Sequence, residues 1–182
     1  RKGPVFINRV VFFVNRNEVR PAMMVYDRGF SKRLVNSRQR YLSTLENRSV
    51  DFLPRLPILM QFAAEYYGSN YAAFASDYRV RTRSNIACVK DFGIDQMSTM
   101  SDPYCETQAF GAKIIFEPNV VPYCEKHPLE DDEDLTKLPC PDPMKSERMR
   151  DRIEAIRAYV DSTGDEYWIL GWVEGPAAEA AD

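Results

Sequence analysis

From about residue 36 onward, short apolar runs alternate with stretches of helical periodicity, and this alternation limits the folds open to the chain more than any other feature. Asn36 or Ser37 can cap a helix that carries Tyr41, Leu42 and Leu45 and ends near Asn47. Pro54 and Pro57 then lead into Ile58–Phe62, a compact apolar run that suits a buried strand. Two short helical pieces, 63–67 and 71–77, flank Gly68-Ser69-Asn70, and a longer helix over 79–92 stops at Gly93. Further strands are expected at Ile94–Met100, Ala112–Phe116 and Tyr167–Val173, with a helical piece at 106–110. Residues 117–143 are Pro-rich and acidic and read as a long excursion with one short helix or turn. Asp142-Pro143 is a start signal for a helix running to about Ser162, with Met149, Ile153, Ile156 and Val160 as its core face. Strands alternating with helices imply βαβ units and a largely parallel sheet. The pattern supports an α/β chain with about three to four parallel strands, and by itself it does not choose between a barrel segment and an open sheet.

Composition narrows the function classes. The 182 residues are 45% hydrophobic and 28% charged, ordinary values for a globular protein. With 24 basic and 27 acidic side chains, the net charge of -3 offers no polyphosphate-binding surface, so no nucleic-acid partner is expected. No window reaches the roughly 18 apolar residues that span a bilayer, so no membrane association is expected. The run Val5–Val14 is broken by Asn8 and Arg9 and lacks a following small-residue cleavage site, which argues against a secretory signal. A cytoplasmic location is the default. The same run is either a strand or part of a non-native leader, with Met23 or Met24 as the true start; residues 1–36 are set apart as an N-terminal extension on that basis. At the other end, Pro176 onward reads as the opening turns of a helix with no stop signal, so the sequence reads as a fragment.

Few residues carry chemistry of a familiar pattern. His127 is the single histidine, no nucleophile–histidine pair stands out, and the eight glycines sit singly at element ends with no phosphate loop. Cys124, His127 and Cys140 are soft ligands, but a fourth is missing and the spacing is not that of a zinc finger, so no metal site is assigned to this chain. Asp102 and Glu174 both directly follow a predicted strand, where α/β barrels place their chemistry. Asp102 in Ser101-Asp102-Pro103 is also an ordinary helix cap, and Glu174 an ordinary loop acid, so both readings stand. Met60, Gln61, Tyr104 and Trp172 lie at predicted strand ends and are candidates for contacting a small-molecule substrate.

Several stretches in order resemble the uroporphyrinogen decarboxylase family: Ser37–Leu45, Arg55–Gln61, Asp91–Asp95, Ser101–Pro103, Phe110–Phe116 and Leu170–Pro176. The resemblance covers residues 37–182 and implies the N-terminal half of a TIM (β/α)8 barrel, truncated. The family contains decarboxylases that need no cofactor and corrinoid-linked methyltransferases that use zinc. It implies that Asp102 matches the family's active-site aspartate. Two arginines that grip substrate carboxylates in the decarboxylases are matched here by Phe62 and Tyr66. Their loss turns the expectation toward a methyltransferase-like member, with zinc and a corrinoid bound only in a fuller protein and a corrinoid protein as partner. A decarboxylase of a porphyrinogen-like or smaller carboxylated substrate is the alternative. A third is an inert barrel piece whose open sheet edges invite a homodimer.

Overall fold

A computed structural model describes the backbone of residues 5–7, 10–15 and 18–22, and all of residues 35–130 and 134–180. The chain divides into two compact units, Arg1–Leu34 and Val35–Asp182. In the first, β1 (Val5–Ile7), β2 (Val10–Asn15) and β3 (Glu18–Ala22) form an antiparallel meander in which Val5 faces Phe12 and Phe13 faces Arg20. The apolar run 5–14 therefore makes two strands, broken where Asn8 and Arg9 interrupt it. Pro21 lies in β3, an edge strand, where its missing N–H costs no ladder bond.

The second unit begins with α1 (Ser37–Leu45), held by a full capping box: the Asn36 side chain accepts from Gln39 N while the Gln39 side chain accepts from Asn36 N. Arg40 on this helix is fully buried. Its Nη1 donates to Asp95 Oδ1 at 2.6 Å, and Nε and Nη2 donate to Asp51 at 2.6 and 2.7 Å, with the guanidinium 3.8 Å above the Phe52 ring. This network ties α1 and the Asp51–Phe52 turn to the chain entering the sheet.

The strand expected at Ile58–Phe62 is absent. Residues 53–59 are irregular, Ile58 is 53% exposed, and Met60 already opens α2 (Met60–Tyr66). Pro54 and Pro57 remove two donors only from the segment leading in, and the second half of the apolar run is taken by the helix. One backbone bond survives, Asp95 N to Arg55 O at 3.0 Å, beside Arg55 N to Asp95 Oδ2 at 2.9 Å. Then follow α3 (Tyr71–Ser76), capped by Asn70, and α4 (Tyr78–Phe92), capped by Asp77 and ended by Gly93 in the left-handed region at φ 63°.

The parallel pair is β4 (Gln96–Ser98) with β7 (Trp168–Leu170), in the register Met97 opposite Ile169. Both are shorter than their apolar runs. Two further strands, β5 (Lys113–Ile115) and β6 (Tyr123–Lys126), form an antiparallel hairpin, so the Ala112–Phe116 segment does not join the parallel sheet. Its connection to β6 is too short for a parallel crossover. Between them in sequence, α5 (Cys105–Ala109) follows β4, a 3-10 turn covers Leu135–Lys137, α6 (Glu147–Thr163) precedes β7, and α7 (Pro176–Glu179) ends the described chain. The fold is α/β with parallel strands, though with fewer regular ones than expected among the described residues.

The start of α6 shifts as well. Asp142 organises a separate turn, accepting Lys145 N and Ser146 N at 2.9 Å on its carbonyl and Met144 N at 2.9 Å on its side chain, and Ser146 becomes the cap. More consequential is its face. Arg148, Arg152, Ala155 and Tyr159 are the buried residues of α6, while Ile156 is 36% and Val160 50% exposed. The helix is turned by about one residue from its apolar stripe because two arginines find carboxylates inside. Ala155 and Tyr159 pack with Ala63, Phe74, Val89 and Met97 in the core. The Tyr159 hydroxyl accepts from Asn85 Nδ2 at 2.6 Å and donates to Ser98 O at 3.0 Å, fixing α4 and α6 to the end of β4.

Candidate active site at the strand ends

The two parallel strands deliver two loops to one end of the sheet, residues 99–104 after β4 and 171–175 after β7. They are stitched together at once: Thr99 N donates to Leu170 O at 3.1 Å, and Trp172 N to Thr99 Oγ1 at 2.9 Å. Four of the predicted residues, Asp102, Tyr104, Trp172 and Glu174, lie in these loops.

Asp102 is fully buried and fully engaged. Ser101 Oγ donates to its Oδ2 at 2.7 Å, and Tyr104 N to its Oδ1 at 3.0 Å. Arg148 grips it with both terminal nitrogens, Nη1 to Oδ1 at 3.0 Å and Nη2 to Oδ2. Burial pushes the Asp102 carboxyl up, and Arg148, Ser101 and Tyr104 outweigh it, so the group is held below the ordinary aspartate range. Arg148 is in turn fixed by Ala75 O at 3.2 Å and by the Phe116 ring 4.9 Å away. Tyr71 donates to Ser101 O at 2.7 Å, and burial together with the nearby Asp102 charge keeps its phenol protonated.

One turn along α6, Arg152 repeats the arrangement. Its Nη1 donates to both Glu106 oxygens at 2.9 and 3.1 Å and reaches Trp172 O at 3.4 Å, while Nη2 donates to Asp102 O at 2.8 Å. Two arginines at i, i+4 thus meet two carboxylates at i, i+4, an arrangement the apolar reading of α6 passed over. The signal was present in Arg148, Arg152, Ala155 and Tyr159, a single helical stripe.

Glu174 accepts from Trp172 Nε1 at 2.6 Å and is partly exposed, which leaves it the accessible acid of the β7 loop. Met60 sits at φ 38°, unusual for a residue with a Cβ, and lines a void of about 10 Å³ with Asn85, Ser98 and Met100. Gln61 donates to Glu65 at 2.6 Å within α2. Phe62 and Tyr66 are 52% and 45% exposed and contact the Phe92 ring, and Tyr66 donates to Asp91 at 2.8 Å. A cavity of about 500 Å³ opens between α5 and the start of α6, beside Gln108, Cys140 and Lys145. It contains none of the six predicted residues, and Arg148 forms part of its wall.

The described residues do not fit a zinc ion: no three His, Cys, Asp or Glu side chains among them converge. Cys124 and His127 lie on and just after β6, and Cys140 is exposed in the loop before α6. Nor is any helix among the described residues long and apolar enough to cross a membrane.

Compared with known families, residues 36–182 match the uroporphyrinogen decarboxylase (URO-D) family. The chain belongs to that family. No curated protein sequence matches it significantly. Among solved structures, a methyltransferase from Methanosarcina mazei is similar, with a TM-score of 0.70 at 20% identity over 81% of this chain. The aligned part is 45% of that methyltransferase, so this chain spans under half its length. The likeness shows a shared fold of the uroporphyrinogen decarboxylase type.

Proposed function

We propose that this uroporphyrinogen decarboxylase family member is a corrinoid-linked methyltransferase-like enzyme of the cytoplasm, acting on a small thiol substrate with a corrinoid protein as partner. One observation carries the reading: α2, of sequence MQFAAEY, holds no arginine or lysine. A substrate bearing many carboxylates needs charge-assisted partners there. Instead Gln61 bonds Glu65, while Phe62 and Tyr66 present aromatic surface. The two arginines near the strand ends, Arg148 and Arg152, are committed to Asp102 and Glu106. The solved methyltransferase of like fold supports the same branch.

No three His, Cys, Asp or Glu side chains converge among the described residues, so none of them is assigned to the zinc of such an enzyme. The test is metal analysis of the purified full-length protein. Stoichiometric zinc is the expected result. Metal-free protein would overturn the proposal and favour cofactor-independent decarboxylation, for which the ionised Asp102 supplies an anion at the strand ends. Asp102→Asn should then abolish turnover in a folded protein.

A further inference from the structure

We propose that Arg152 is a positioning residue of the strand-end site, a single guanidinium that sets the distance between the Asp102 loop and the Trp172–Glu174 loop. Its neighbour Arg148 serves one loop only, bonding the side chains of Asp102 and Ser101 besides Ala75 O. Arg152 instead touches both loops, through Asp102 O at 2.8 Å and Trp172 O at 3.4 Å, and is anchored to α5 through Glu106. The separation of the two loops beyond the Thr99 bonds to Leu170 and Trp172 is thereby referred to the long α6 as well as to the three-residue strands.

Packing alone does not call for an arginine here. The residue is 5% exposed, and its Nε is buried without a partner among the described residues. Leaving a donor unmet in the interior is costly, and replacing a buried ion pair by apolar residues of similar volume is often neutral or stabilising. What apolar residues do not supply is two directed bonds from one plane to two carbonyls. A lysine's single ammonium lacks that fork. The inference rests on reading these loops as the site, but not on the choice between methyl transfer and decarboxylation. Metal analysis can therefore fail while this proposal stands, and the reverse.

The experiment uses tryptophan emission, which needs neither substrate nor metal. The chain has two tryptophans, so a Trp168→Phe background leaves Trp172 as the reporter within the β7 loop. Two variants are compared in it: Arg152→Met combined with Glu106→Leu, which removes both charges together, and Arg152→Lys, which keeps the charge. Both are expected to fold with circular dichroism like the parent, while Trp172 emission shifts to longer wavelength and acrylamide quenching rises. Parent-like emission and quenching in either folded variant would overturn the proposal, and if the double variant does not fold, the lysine variant decides alone. Glu106→Gln keeps both carbonyl bonds and should leave the emission unchanged; a shift there would overturn the proposal too, by giving the loop spacing to the Glu106 pair.

Discussion

A carboxylate with 0% exposure survives as an anion only if its surroundings replace water, and Asp102 has two donors, Ser101 Oγ and Tyr104 N, and the bidentate Arg148 guanidinium to do so. Asp102→Asn would leave Arg148 buried without its charge partner, and should cost about 3–5 kcal/mol at neutral pH, read by urea unfolding. Since the folded carboxyl titrates below its ordinary value, its stabilisation is present above the unfolded pKa of about 3.9 and is lost as pH falls through the folded one. The gap between parent and Asp102→Asn should accordingly narrow below about pH 4. Cysteines give a second residue-scale test. Burial lifts the Cys88 thiol to about 11 and the Cys105 thiol to about 12, whereas Cys140 is exposed. A thiol reagent at pH 8 should label Cys140 at once and reach Cys88 and Cys105 only on unfolding; rapid labelling of all four would contradict the burial described. Asp102 could be singled out in the sequence by its position after a strand. Its partner could not, because Arg148 lies 46 residues away and nothing local marks it as paired.

The elements were legible where local chemistry decides them. Asn36 with Gln39, Gly93 and Gly164 mark helix ends whose caps need no distant partner. They were illegible where a distant partner decides. Ile58–Phe62 has the composition of a strand, yet its second half opens α2, and the apolar stripe of α6 yields the core to two arginines that pair across the fold. That rotation of α6 is measurable. Tyr159→Ala should cost about 3–5 kcal/mol, since Tyr159 is fully buried. Val160→Ala, at a half-exposed position, should cost well under 1 kcal/mol. Equal costs in chemical denaturation would restore the apolar stripe as the core face. Gly93→Ala should lose about 1 kcal/mol, because its φ of 63° is strained for any residue with a Cβ.

Taken whole, the second unit exposes apolar side chains close to its small parallel sheet: Leu56 and Ile58 next to Arg55, which bonds Asp95 just before β4, and Val173, at 75% exposure, in the loop after β7. Exposed apolar surface of this kind is where another chain or a ligand can pack. Ile58→Lys and Val173→Lys should change stability by no more than about 0.5 kcal/mol while reducing binding of a hydrophobic dye; unchanged dye binding would mean these side chains are covered in solution. The parallel pairing itself has a consequence for biosynthesis. Thr99 and Trp172, which join the two strands, are 73 residues apart. At a synthesis rate of about 5–20 residues per second, β4 leaves the ribosome roughly 4–15 s before its partner exists. For the whole of that interval Met97 lacks β7, and for the first 46 residues made after Asp102 that acid also lacks Arg148, so the nascent chain carries at first an unneutralised acid beside an open edge, a state in which chaperone capture would be most useful.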